Sequence, residues 1–200
     1  VIPHLPARTI INENELEKYI GDLANVSGCS KILIIGGGGT QAGNISSTME
    51  VLKSDLLSKF DYKYVGVAGH PEGSPDISNQ NLDLAIQEKN NFAKNVDFQM
   101  YIATQFFFEA KSLIDWEKHL SSLGNNLPIH AGIPGPASIK TLINYARSCG
   151  IGNSLRFISK QAFNLTKLAT LSTPDKLIYD LANYINTNKS TNLENIHFYA

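Results

Sequence analysis

The sequence predicts an α/β protein, and three observations carry the prediction. Short apolar runs recur along the chain, among them Lys31–Ile35 (KILII), Val65–Ala68 (VGVA) and Met100–Thr104 (MYIAT). Between them lie longer stretches whose apolar residues fall at helical spacing. Each apolar run stops in a turn of glycines, prolines or polar residues. A strand such as Lys31–Ile35, apolar from Ile32 onward, is the kind that is buried on both faces. Strict alternation of such strands with helices implies a parallel sheet joined by right-handed crossovers. Two architectures satisfy that pattern: a doubly wound open sheet, and a (β/α)8 barrel lacking about two units.

Taken in order, Val1–Ile11 reads as a first strand that contains His4. Asn12 with Glu15 resembles a capping box. Leu16, Tyr19, Ile20, Leu23 and Ala24 then give a helical stripe that Gly28 is suited to stop. After Lys31–Ile35 come Gly36-Gly37-Gly38-Gly39. Ser46 or Ser47 is placed to cap a helix carrying Met49, Leu52, Leu56 and Leu57. The third strand is the run that begins at Val65. A helix over 82–95 has Leu82, Ala85, Ile86, Phe92 and Ala93 on one stripe. Met100–Thr104 is the fourth strand. The next helix carries Leu113, Trp116, Leu120 and Leu123 and stops at Gly124. Pro128–Gly132 is the fifth strand, followed by a helix with Ile139, Leu142, Ile143 and Ala146 that Gly150 closes. A short helix is expected near Asn153–Phe163. The last helix opens with Thr173 as N-cap and Pro174 at its first position, and buries Leu177, Ile178, Leu181, Ala182 and Ile185. Asn192–Ala200 is the sixth strand.

The bulk numbers narrow the function classes. The 200 residues suit a single domain over 1–200. At 42% hydrophobic and 18% charged the chain can bury a sizeable core. A net charge of −1 with scattered signs argues against nucleic acid as a partner. No apolar run approaches the roughly 20 residues of a membrane helix, and no signal peptide is seen. Cys29 and Cys149 form no CxxC, so they read as reduced thiols of a cytoplasmic protein. Both ends of the chain are apolar and strand-like, which predicts a fragment cut through a core. Such a fragment has open sheet edges, so the isolated chain is expected to self-associate.

The stretch richest in candidate chemistry is Val65-Gly66-Val67-Ala68-Gly69-His70-Pro71-Glu72-Gly73-Ser74-Pro75. In sheets whose strands are joined by helices, ligands are met at the carboxyl ends of the strands. His70, Glu72 and Ser74 alternate just past such an end, aimed by two prolines that restrict the backbone. Gln105 follows another strand end, where an amide can read both donor and acceptor edges of a heterocycle. The three phenylalanines after it are core residues on the ordinary expectation. Lys89 lies on the apolar stripe of its helix, either as a stem reaching past apolar neighbours or as a cation for a phosphate. Gly37, Gly39 and Ala42 fit G-x-G-x-x-A loosely, but no acidic residue ends the next strand as a dinucleotide site requires. Glycines there either turn the strand or let a flat ligand lie close to bare backbone. No HxH, HExxH or cysteine cluster suggests a metal.

Several motifs together resemble one family. PHLPARTI, ILIIGG, VAGHPEGSP, ATQFFF, HAGIPGPAS and the terminal IHFYA occur in the order and spacing of methylenetetrahydrofolate reductases of the bacterial, flavin-dependent type. The resemblance runs from that family's third strand to its eighth, so it implies an incomplete (β/α)8 barrel of six parallel strands whose first two β/α units are missing. It also implies FAD along the strands' carboxyl ends. His4, Ile35, Gly36 and Gly37 would approach the flavin and its tail. His70, Glu72 and Ser74 would lie beside it, and Lys89 near its phosphates. Gln105 matches a glutamine that contacts the folate pterin and the nicotinamide in turn. Members commonly carry an Asp where this chain has Gly38. The implied activity is that of an oxidoreductase of one-carbon metabolism and methionine synthesis. It passes hydride from NAD(P)H through flavin to 5,10-methylenetetrahydrofolate, giving 5-methyltetrahydrofolate. The fragment alone is expected to be inactive, and a homo-oligomer is left open. The alternative is a non-catalytic folate- or flavin-binding protein, which Gly38 would permit.

Overall fold

The computed structural model describes residues 1–38, 40–148 and 171–199. Six parallel strands form one sheet: β1 (His4–Pro6), β2 (Lys31–Ile35), β3 (Tyr64–Gly69), β4 (Gln99–Thr104), β5 (Ile129–Pro134) and β8 (Leu193–Tyr199), in that order across the sheet. A doubly wound sheet reverses its order at a switch point. Here every strand lies beside its predecessor, which is the order of a (β/α)8 barrel. A separate two-stranded antiparallel ladder joins β6 (Ala137–Ser138) to β7 (Leu171–Ser172), a pairing that two-residue segments do not announce in sequence.

The chain divides into two compact units, Val1–Ala68 with Glu88–Ala103, and Gly69–Gln87 with Thr104–Ala200. In the first unit, α1 (Glu13–Ser27) begins as expected, with the Asn12 side chain accepting from the Glu15 N–H at 3.0 Å. The reciprocal bond differs by one residue: Glu15 Oε2 accepts from the Ile11 N–H at 2.6 Å, not from Asn12. Gly28 ends the helix in the left-handed conformation, φ 59°. The first strand is shorter than its apolar run, because Ala7–Thr9 tightens into a 3-10 turn in which the Thr9 hydroxyl donates to the Pro6 carbonyl at 2.8 Å.

The helix expected after Ser47 is broken into α2 (Thr48–Leu52) and α3 (Leu56–Lys59). The Ser54 hydroxyl donates to the Val51 carbonyl at 2.7 Å, and Asp55 turns left-handed at φ 57°. Ser and Asp both compete with helix continuation in this way. Met49, Leu52 and Leu57 are nevertheless buried, while Leu56 is half-buried. Parallel register pairs His4 with Leu33, and Leu33 with Gly66, so these three residues share one face of the sheet. Tyr101 packs on that face over Gly66, where a Cβ would lie 2.6 Å from the phenol ring. Leu33, Tyr101 and Ala103 form its buried cluster.

Helix α4 (Asn79–Ala93) starts three residues before the predicted Leu82. In the second unit, α5 (Ala110–Ser122) buries Leu113 and Leu120, and Gly124 follows at φ 81°. Helix α6 (Ile139–Ser148) and α7 (Asp175–Thr187) complete the described helices. The cap of α7 is Pro174, not Thr173, whose hydroxyl instead bonds the Asp175 carboxylate. The helix predicted near Asn153–Phe163, together with Gly39 and Cys149, lies outside the described residues. Phe106, Ile139 and Leu142 form a core with Phe108 and Tyr199 around them. Phe106 meets Phe108 and Tyr199 edge-on, at 5.8 and 6.1 Å between ring centres, and Phe107 is fully buried. Phe106 and Phe107 are thus core residues, and Phe108 is half-buried beside them.

Candidate functional site

In the second unit, β3 delivers its last residue, Gly69, into the turn that carries His70, Glu72 and Ser74, all three half-buried. The turn is closed by the Gly73 N–H donating to the His70 carbonyl at 3.0 Å. Gly73 is left-handed at φ 78°, a conformation that glycine adopts without strain. Ser74 Oγ accepts from the Asp76 N–H at 3.3 Å. Gln105, the first residue past β4, reaches this turn twice. Its backbone N–H donates to the Gly69 carbonyl at 2.9 Å, and its side-chain Nε2 donates to the Gly73 carbonyl at 3.2 Å. Two features singled out separately in the sequence are therefore one hydrogen-bonded cluster.

In the first unit, Ile35 closes β2 and is followed by Gly36, Gly37 and Gly38. The Gly36 carbonyl accepts from the Arg8 N–H at 2.9 Å, which ties this turn to the end of β1. Gly37 has φ 85°, and a Cβ there would come within 3.1 Å of the Pro6 side chain. Beside Gly36 and Gly38 there is open space, with no heavy atom within 4 Å of where a Cβ would stand. Bare backbone of this kind lets a flat group approach closely. His4 is half-buried, and burial holds its pKa below the ordinary imidazole value. Lys89 is only 8% exposed. Burial lowers its pKa, opposed by the nearby Glu88 carboxylate, which itself pairs with Lys53 at 3.0 Å.

A cavity of about 280 Å³ also occurs in the second unit, lined by Phe108, Ile139, Leu142 and Leu177 with Lys111 and Asp180. None of the candidate cofactor- or substrate-binding residues predicted from sequence lines it. Sequence reasoning passed over Thr104, the residue that seats Gln105. Its hydroxyl oxygen accepts from the Gly132 N–H at 2.8 Å, and its carbonyl accepts from the Tyr199 hydroxyl at 2.8 Å. The usable signal was Gly132 itself, a glycine inside an otherwise apolar strand, which marks a close backbone approach.

Comparison with known proteins places these observations. The methylenetetrahydrofolate reductase family profile matches residues 1–162. Methylenetetrahydrofolate reductase 2 of Saccharomyces cerevisiae is 27% identical over 164 residues, covering 78% of this chain and 26% of the yeast protein. Methylenetetrahydrofolate reductase 1 of Schizosaccharomyces pombe is 29% identical over 137 residues, covering 64% of this chain and 22% of that protein. The chain thus spans about a quarter of the length of these curated relatives. A solved structure described as an uncharacterized protein from Clostridium thermocellum that binds two copies of 5-methyl-5,6,7,8-tetrahydrofolic acid shares the fold. Its TM-score is 0.58 at 16% identity, over 100% of this chain and 66% of that one. By the profile match over most of its length, the chain belongs to the methylenetetrahydrofolate reductase family.

Proposed function

We propose that this chain is the folate-handling portion of a cytoplasmic, FAD-dependent methylenetetrahydrofolate reductase. The observation that carries the reading is the Gln105 amide held against the 70–74 turn at the carboxyl end of a strand. That is where a parallel β/α sheet meets its ligand, and Gln105 is the residue the resemblance assigns to the pterin and the nicotinamide. The family membership and the folate bound by the Clostridium thermocellum protein support the same substrate class.

The residues present fit a flavin. Gly36 and Gly38 leave open space that side chains would fill, and Ile35 and Gly37 continue the same turn. A buried Lys89 suits a phosphate, since an anion would offset the cost of holding a cation out of water. In the first unit we assign His4, Ile35, Gly36, Gly37, Gly38 and Lys89 to the cofactor. In the second we assign His70, Glu72 and Ser74 to it, and Gln105 to the substrate. When bound, FAD supplies the two-electron relay between NAD(P)H and the folate. The protein's own part is placement. The prolines and the Gln105 bonds hold the turn, and the half-buried His4 stays neutral near neutral pH and offers an uncharged ring.

A second reading is carried by Gly38, which stands where members commonly have an Asp. A protein lacking that carboxylate could keep a folate or flavin site without reduction. Expression of the complete reading frame decides between them. A yellow protein that oxidises NAD(P)H and converts methylenetetrahydrofolate to methyltetrahydrofolate is the expected result. A colourless protein that binds folate without turnover establishes the second reading.

A further inference from the structure

In the first unit, the 3-10 turn after β1 is clasped by the glycine loop through main-chain hydrogen bonds. The Arg8 N–H donates to the Gly36 carbonyl at 2.9 Å, and the Arg8 carbonyl accepts from the Ala42 N–H at 2.9 Å. A third bond, from the Asn44 N–H to the Ile11 carbonyl at 3.1 Å, holds the far end of the loop. None of these uses the guanidinium. Arg8 is half-buried, yet among the described residues its side chain makes no ion pair and no hydrogen bond. Holding a cation partly out of water costs free energy that an acceptor would offset. The turn beside it, Ile35-Gly36-Gly37-Gly38, brings no charge of its own. It leaves open space next to Gly36 and Gly38. Arg8 springs from the edge of that space, and a guanidinium only donates, in a planar fork. Its partner is therefore an edge that carries acceptors.

We propose that Arg8 is a cofactor-binding residue whose guanidinium donates to the acceptor-bearing pyrimidine edge of a flavin lying against Gly36 and Gly38. That edge presents a ring nitrogen and a carbonyl oxygen side by side, a pair that a planar fork can meet with two hydrogen bonds. It also gains negative charge when the ring is reduced. A cation there favours the reduced ring over the oxidised one and raises its potential. Arg8 thereby gives the glycine turn a charge, opposite in sign to the Asp that members commonly carry in place of Gly38. The main-chain clasp presets the point from which the side chain reaches, so less is lost in ordering it on binding. This assignment rests on the flavin reading above; the clasp does not.

Two substitutions in the protein from the complete reading frame test the contact. Arg8→Gln removes the charge, and Arg8→Lys keeps it without the fork. Both leave the main-chain clasp in place, so thermal midpoints are expected to stay near the parent's. FAD affinity is measured by fluorescence titration, and the flavin's midpoint potential by reduction against a reference dye. Arg8→Gln is expected to weaken the preference for reduced over oxidised flavin about tenfold, which is about 30 mV toward the negative for a two-electron couple. Arg8→Lys is expected to shift the potential by less than half as much. An unchanged potential in Arg8→Gln overturns the proposal. Equal shifts in both variants overturn it too, since Arg8→Lys keeps the cation. A large loss of FAD affinity at unchanged potential places Arg8 on the phosphate tail and overturns the ring-edge assignment. Where Arg8→Gln takes up no flavin, Arg8→Lys decides: a yellow protein at near-parent potential supports the contact, and a colourless one overturns it. A parent that takes up no flavin removes the flavin reading and this assignment together. A yellow parent whose variants do not move removes this assignment alone.

Discussion

Thr104 and Gly132 are locked together through both main chain and side chain. The Gly132 N–H donates to the Thr104 hydroxyl at 2.8 Å, and a Cβ on Gly132 would stand 2.1 Å from the Thr104 carbonyl oxygen. It would also meet the Tyr199 ring at 2.8 Å. Backbone atoms at that distance cannot yield as a flexible side chain would. Gly132→Ala is therefore expected to destabilise by about 3 kcal/mol. The shifted Thr104 should carry Gln105 with it. Urea unfolding midpoints test the first effect. Exchange at Gly73, faster than in a variant of matched stability, tests the second.

Glu117 makes a comparable lock on α5. It is 3% exposed and accepts the Tyr184 hydroxyl at 2.9 Å, the Asn192 N–H at 3.1 Å and the Ser121 hydroxyl at 3.3 Å. Asn192 leads directly into β8, so one carboxylate joins α5, α7 and the last strand. Removing it strands buried donors, each costing about 1–3 kcal/mol. Glu117→Ala is expected to lose about 2–4 kcal/mol, and Glu117→Gln less than half of that, because its carbonyl oxygen still accepts. Chemical denaturation of the two variants side by side checks the order. Equal losses would mean that the cavity, not the hydrogen bonds, dominates.

Such locks show where the sequence was legible and where it was not. Several signals that act over a few residues were read correctly. Lys31–Ile35 is a strand with those bounds, Asn12 caps α1, and Gly28 and Gly124 end their helices with positive φ. The alternation of such local signals also implied a parallel sheet, and the family motifs implied the sequential strand order. Contacts between residues far apart in sequence were not legible. Glu117 sits on a helix as an ordinary charged residue, and only the approach of Asn192, 75 positions away, makes it a buried acceptor. Gln105 and the 70–74 turn were each conspicuous as polar groups after strands, but their bond, 32 positions apart, follows from strand pairing. The break at Asp55 was missed because an apolar stripe at helical spacing continues through it, while a local hydroxyl bond decides otherwise.

His4 predicts a pH dependence in the first unit. Burial lowers its pKa from the ordinary 6.5, so the unfolded chain binds the proton more readily than the folded one. Stability contributed by the neutral ring is present above about pH 6.5. It declines as pH falls below that value, and the loss is complete once pH is below the folded pKa. His4→Gln is expected to flatten that part of the stability curve. Urea midpoints at pH 7.5 and pH 5.5 decide it: a drop of the same size in both proteins would assign the acid sensitivity elsewhere.

Among the described residues, strand β8 pairs in the sheet with β5 alone, so its other edge carries no described strand. Ile196 and Phe198, 40% and 55% exposed, point from one face of it. An apolar strand edge of this kind pairs readily with other chains. The isolated 200-residue chain is expected to self-associate at micromolar concentration. Ile196→Lys with Phe198→Lys should shift the sedimentation profile toward monomer, since charged residues discourage edge pairing. A monodisperse, cooperatively melting monomer of the unsubstituted chain would overturn this expectation.

Gly38 offers the sharpest separation of enzyme from binding protein. No heavy atom lies within 4 Å of a Cβ placed there, and the backbone is not left-handed. A side chain at this position meets no steric barrier, so Gly38→Asp is expected to change stability by no more than about 0.5 kcal/mol. Its effect should fall on chemistry instead. If the protein is a reductase that works without the family's carboxylate, the new charge near the proposed flavin turn should alter its turnover with NAD(P)H, because a nearby charge tunes a bound cofactor's electronics. If the protein has lost reduction through this one position, the substitution should restore measurable turnover from none. A variant that folds normally, binds flavin as the parent does and still leaves turnover at the parent's level, zero or otherwise, would show that Gly38 does not govern the reaction.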